Sequence, residues 1–137
     1  MVSSQTATAT KYLTVALVGD VMLGRLVNGP LVTDGPAYVW GNTLPLLTGA
    51  DLTIGNLECV VAGRDSGRPW SHWPKKFHFK SEPAAISSLH LAGFDAVLLA
   101  NNHVLDYDVE ALLEMLERLE RAGTPYTGAG RNLQEAS

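Results

Sequence analysis

Three short runs rich in Val, Ile and Leu each end among polar side chains, and stretches of helical character separate them. Leu13 to Gly19 closes on Asp20, Asp51 to Asn56 leads into Glu58, and Phe94 to Ala100 leads into Asn101-Asn102-His103. Runs this short, with β-branched residues and glycine or turn residues at their ends, read as buried strands. A weak helix is expected from Tyr38 to Leu47, interrupted by Gly41 and Pro45. Ser81-Glu82-Pro83 opens another, with Ser81 as N-cap and proline in the first turn. Ile86, Leu89 and His90 would share its inner face, and Gly93 ends it. The plainest helix runs from Val109 to Ala122, with Leu112, Leu113, Leu116 and Leu119 as its apolar stripe. Gly123 caps it, Pro125 prevents its continuation, and a fourth strand follows at about Pro125 to Thr127. Strands alternating with helices make βαβ crossovers, hence an α/β fold with a mainly parallel sheet. In such sheets ligands sit beyond the carboxyl ends of the strands.

The chain has 137 residues, of which 46% are hydrophobic and 18% charged, enough for one packed domain. Its net charge of −4 lacks any block of like charge. Nothing in that balance calls for nucleic acid or an anionic membrane surface. The single cysteine, Cys59, excludes an internal disulfide and reads as a buried apolar residue facing away from its neighbour Glu58. Residues 1–12 read as a flexible Ser/Thr/Ala-rich segment, without the basic and apolar regions of a signal peptide. The apolar run from Leu13 to Leu23 is too short to cross a bilayer. As written, the chain is expected in the cytoplasm, with association to the cell envelope if a leader has been removed.

The strand ends collect the residues that could carry chemistry. Strand one ends in Gly19-Asp20-Val-Met-Leu-Gly-Arg25, strand two in Gly55-Asn56-Leu-Glu58, and strand three in Asn101-Asn102-His103 with Asp106 beyond. Singly, each has a plain structural reading: an aspartate capping a turn, an asparagine in a left-handed turn, a histidine held by the core. Together they bring carboxylate, amide and imidazole to one edge of the sheet. Oxygen donors with one imidazole suit Mg, Mn, Fe or Zn, so a metal or phosphate site is expected there.

These motifs, with Asp106-Tyr107, Phe77-His-Phe79 and Gly128-Ala-Gly-Arg-Asn132, resemble the CapA family, the poly-γ-glutamate capsule biosynthesis proteins. The resemblance runs from about Leu13 to Ala136. That family looks like a branch of the calcineurin-like metallophosphoesterases. It implies a four-layer α/β/β/α sandwich with a two-metal site, and a metal-dependent hydrolase linked to capsule polymer. Asp20 then matches a ligand of the first metal and Asn102 a ligand of the second. His103 matches the histidine that stabilises or protonates the leaving group. Two positions depart from the superfamily pattern. Asn56 stands where an aspartate bridges the metals, leaving Glu58 to supply the charge, and Met22 stands where the first motif has a histidine. Those departures keep a second reading open, a non-catalytic assembly or binding module of the same fold.

The stretch from Ala62 to Lys80 is long and irregular, and loops of that length are usually functional or mobile. It holds Arg64, Arg68, Trp70, His72, Trp73, Lys75, Lys76 and His78. Such a loop could clamp an anionic substrate, a phosphoester or polyglutamate, through Lys76 and His78 with Arg25 beside Asp20. Equally, it could be a solvated loop with two packed tryptophans. Phe77 and Phe79 are expected to face the core and His78 to point away. At the other end, Asn132-Leu-Gln-Glu135 has the form of a capping box, as if a helix were opening where the chain stops. It reads as a truncation of a longer domain, leaving an open sheet edge through which the chain would self-associate.

Overall fold

The structure is a computed structural model and describes residues 12–69, 71 and 75–137. The expectations for residues 1–11, Trp70, His72 and Trp73 lie outside the described residues. Among the described residues, six strands and four α-helices follow in chain order: β1 (Val15–Val21), α1 (Asn28–Thr33), α2 (Leu44–Thr48), β2 (Leu52–Leu57), β3 (Val60–Val61), β4 (Lys80–Ser81), α3 (Ala84–Leu91), β5 (Ala96–Leu98), α4 (Asp108–Ala122) and β6 (Tyr126–Thr127). Short 3₁₀ turns at Arg25–Val27 and Tyr38–Thr43 precede α1 and α2. The main sheet has the order β1-β2-β5-β6, and β3 pairs with β4 in a second, two-stranded sheet. Every pairing is parallel, as the strand–helix alternation predicts.

Burial divides the main sheet into a covered and an open face. On β2, Thr53, Gly55 and Leu57 are buried, while Leu52, Ile54 and Asn56 are half-buried. The helices supply the cover. Ala111, Leu112, Met115, Leu116 and Leu119 of α4 are all buried, against β3, where Val60 and Val61 are fully buried too. Each of these leucine, methionine and valine side chains removed from water contributes about 1.5–3 kcal/mol, which outweighs the modest helix propensity of a 15-residue segment. Gly123 ends α4 at φ 68°, the left-handed conformation that glycine adopts without penalty. On the open face Val15, Leu17 and Leu98 remain exposed, Leu17 by 76%. β1 and β6 are the outer strands.

Several local expectations shift. The expected helix from Tyr38 to Leu47 divides into the 3₁₀ turn and α2, because Gly41 takes a non-helical conformation (φ 49°). Trp40 anchors this region, donating through Nε1 to Ser88 Oγ at 2.8 Å. Ser81 is not the cap of α3. It lies in β4, its hydroxyl donating to the Leu23 carbonyl at 2.9 Å, and α3 starts after Pro83. Tertiary hydrogen bonding has taken the side chain that local pattern assigned to the helix. His90 is exposed rather than on the inner face of α3, and its Nε2 lies 2.6 Å from Thr124 Oγ1. Strand three is shorter than expected, ending at Leu98. The pair Asn132–Glu135 does form, with the Glu135 N–H donating to Asn132 Oδ1 at 3.0 Å. It closes a turn within the described residues.

Candidate functional site

The strand ends do converge, and a β-bulge in β1 makes this possible. The register slips between Val18 and Asp20, so that Asp20 pairs with Asn56. Gly19 is the extra residue. Were β1 regular, with Gly19 paired in the ladder, alternation would send Asp20 to the covered face with Val18. With it, Asp20 stands on the open side next to Asn56, whose Nδ2 donates to Asp20 Oδ1 at 2.7 Å. Gly24 brings the following turn close to β4: a Cβ there would lie 2.6 Å from the Lys80 carbonyl oxygen.

From Asn56 the network runs to the end of β5. Asn101 Nδ2 donates to Asn56 Oδ1 and to the Leu57 carbonyl, both at 3.0 Å. Asn101 Oδ1 accepts from the His103 backbone N–H at 2.9 Å. The asparagine of this third strand end that enters the network is Asn101, where the motif resemblance points to Asn102. Asn102 is exposed, and its backbone carbonyl accepts a hydrogen bond from Lys75. The physical reason lies in where β5 ends. Leu99 and Ala100 follow β5 outside any regular element, and the bend that starts at Asn101 leaves that residue half-buried in the network and Asn102 exposed.

His103 is the most constrained member. Its Nδ1 lies 2.6 Å from Asp106 Oδ2 and 3.0 Å from Lys75 Nζ. Two acceptors would repel at 2.6 Å, so Nδ1 carries the proton and donates to Asp106. Lys75 instead donates to Asp106 Oδ1 at 2.5 Å. Asp106 also accepts from the Phe79 backbone N–H at 2.6 Å, and its side chain is only 1% exposed. A charge that deeply buried needs partners of this kind. Phe79 stacks on the imidazole, with ring centroids 4.0 Å apart and planes 15° from parallel. What remains available on His103 is Nε2, 3.8 Å from Glu58 Oε1. Neither Lys75 nor Phe79 was assigned to the site from sequence. Both sit in the irregular stretch, where no periodicity indicates which side chain turns inward.

The cationic candidates lie alongside. The Arg25 guanidinium sits 4.9 Å from the Phe77 ring centroid and 5.8 Å from that of Phe79, and Lys76 Nζ lies 5.5 Å from Phe77. Arg25 has φ 53°, an uncommon conformation for a side-chain-bearing residue. Phe77 is 45% exposed and forms this platform instead of facing the core, since the segment before Lys80 is not a regular strand and alternation does not apply. His78 is half-buried and meets Tyr107 edge-on at 6.3 Å, off the platform. The two ends of this stretch are tied together and to α4. Lys80 Nζ donates to the carbonyls of Arg64 and Ser66 at 2.9 and 3.0 Å, and Glu114 Oε1 accepts from the Gly63 N–H at 3.0 Å. Burial lowers the Lys80 pKa despite nearby Asp65 and Glu114. Cys59 is buried as expected, and burial pushes its thiol up to about 12, which keeps it protonated and inert.

A divalent cation needs several oxygen or imidazole donors aimed at one point. Among the described residues no three His, Cys, Asp or Glu side chains are so grouped. Asn56 turns an N–H rather than an oxygen toward Asp20. Met22 Sδ accepts from the Gly24 N–H at 3.2 Å. The donors as arranged here do not fit a two-metal centre.

Three ordered strand-end motifs, closed into one network, can be set against known proteins. The sequence model of the bacterial capsule synthesis protein PGA_cap matches residues 14–137. The chain belongs to that family. Within it, the capsule biosynthesis protein CapA of Bacillus anthracis is 31% identical over 123 residues, covering 90% of this chain and 30% of the relative. The PGA biosynthesis protein CapA of Bacillus subtilis (strain 168) is 26% identical over 124 residues, covering 90% of this chain and 32% of the relative. The chain thus spans less than a third of the length of these PGA_cap relatives. Membership agrees with the parallel α/β fold. No helix among the described residues is long and apolar enough to cross a membrane.

Proposed function

We propose that this chain supplies an acid–base group and a cationic wall to a site that acts on poly-γ-glutamate during capsule synthesis. The observation that carries the reading is His103, held by Asp106 and Phe79 with Nε2 left available beside Glu58. Asp106 holds the imidazole in the tautomer with Nδ1 protonated, so a neutral His103 presents a lone pair at Nε2. In hydrolysis of a γ-linked amide, Nε2 takes a proton from the attacking water and returns it to the departing amine nitrogen. Arg25 and Lys76, both exposed beside the Phe77 ring, take carboxylates of the polymer. Polyglutamate is preferred to a phosphoester because the B. subtilis relative is named for PGA biosynthesis. Self-association through the outer edge of β1 belongs to the same proposal, and sedimentation velocity at two protein concentrations tests it.

A second reading, a module that binds the polymer without cleaving it, is favoured by the Asn56–Asp20 contact, because Asn56 stands where the metallophosphoesterase resemblance implies a metal-bridging aspartate. Mixing the protein with a γ-glutamate oligomer, and following both binding and oligomer length, separates the two. Cleavage that falls about a hundredfold or more in His103→Gln, with binding retained, supports the hydrolase. Binding without cleavage in the wild type selects the module. Absence of binding, or binding indifferent to Arg25→Ala and Lys76→Ala, would end both.

A further inference from the structure

We propose that a relay of side-chain amides replaces a metal at the β1–β2 end of the site, so that Asp20 is satisfied by Asn56 and not by a divalent cation. This rests on reading the strand ends as the site, not on the polymer assigned to it.

Backbone groups with irreversible roles set the direction of the relay. The His103 N–H can only donate, so Asn101 turns Oδ1 to it at 2.9 Å. The Leu57 carbonyl can only accept, so Asn101 turns Nδ2 to it at 3.0 Å. The second proton on that nitrogen goes to Asn56 Oδ1, also at 3.0 Å. With its oxygen committed, Asn56 has only N–H to offer Asp20, and Oδ1 of Asp20 accepts it at 2.7 Å. A cation held between these two residues would face the donor side of an amide. Turning Asn56 over would set its nitrogen against Asn101 Nδ2, donor to donor, and its oxygen against the Asp20 carboxylate. Both mismatches disfavour the turned amide, the part-buried one at Asn101 more than the exposed one at Asp20. An aspartate at position 56 would behave differently. One oxygen would keep the bond from Asn101, and the other would oppose Asp20, a like-charge pair that a divalent cation relieves.

Calorimetric titration of Mn²⁺ into the 137-residue protein tests this directly, comparing wild type, Asn56→Asp and the double variant Asp20→Ala/Asn56→Asp. Asn56→Asp should bind at least about tenfold more tightly than wild type, and the double variant should lose that gain. Wild type binding as tightly as Asn56→Asp would overturn the relay. Side-chain amide NMR of the wild type decides the matter even if Asn56→Asp fails to fold. The Asn56 NH₂ signals should stay sharp at equimolar Mn²⁺, and their selective broadening would overturn the proposal. If wild type takes up Mn²⁺ while polymer cleavage still depends on His103, the relay fails and the proposed function stands. If the relay holds and the polymer does not bind, the reverse is true.

Discussion

Asp106 and Asp20 lie at the two ends of one hydrogen-bonded run, and their surroundings differ in kind. Asp106 is buried and accepts from a lysine ammonium, an imidazole and a backbone N–H. Asp20 is exposed and accepts from a neutral amide. Water can complete the coordination of Asp20, whereas Asp106 has only what the fold brings to it. The buried end therefore needs charged partners, and those partners lock His103 in place. The open end tolerates a neutral one and keeps lone pairs free for solvent or ligand. Stability is concentrated at one end of the site and adaptability at the other.

The strongest way to break this contrast is Asp106→Ala. It leaves Lys75, whose side chain is 21% exposed, without its counter-charge, and His103 without its acceptor. Removing one partner of a buried pair costs about 3–5 kcal/mol, measured as the shift in denaturant unfolding free energy. A loss below about 1 kcal/mol would mean that water already serves this cluster, and the distinction would collapse.

Glu114 sharpens the comparison as an intermediate case, since its side chain is 23% exposed. Burial alone would raise its pKa. Hydrogen bonds from Ser66, Arg118 and the Gly63 N–H outweigh burial and hold it at about 2, against an ordinary 4.5. A depressed carboxylate pKa stabilises the fold above its unfolded value and loses that contribution as pH falls through the folded one. Glu114→Gln should cost about 1.5–3 kcal/mol at pH 7. The gap from wild type should narrow between pH 4.5 and about 2, as the native Glu114 itself protonates. Thermal melts of both proteins across that range check it, and a pH-independent gap would remove the ionised hydrogen bonds from the account.

Asp20→Ala should have the smallest effect, below about 1 kcal/mol, because it removes one hydrogen bond at an exposed position. A penalty approaching that of Asp106→Ala would show that the relay, and not the buried pair, carries the stability of the site.

How much of this was legible beforehand follows from the range of each interaction. The α4 stripe, the Gly123 stop and the parallel strands could be read because they depend on local periodicity and on backbone conformations that single residue types favour. Asp20, Glu58 and His103 were reachable by the rule that polar residues just past parallel strands face a common edge. Phe77 was misplaced by applying strand alternation to a segment that forms no strand, and Ser81 by giving a local cap to a side chain claimed by Leu23. Lys75 carried no signal that separated it from its neighbour Lys76.

The sequence by itself determined which residues could reach the strand ends, since strand order and helix spacing follow from short-range preferences. Only the tertiary structure decided which way each one turned. A single-residue bulge at Gly19 put Asp20 on the open face, and the end of β5 at Leu98 put Asn101 rather than Asn102 into the network. Alternation along a strand reverses with every residue. A one-position shift, set by packing and pairing with distant segments, therefore exchanges inward for outward.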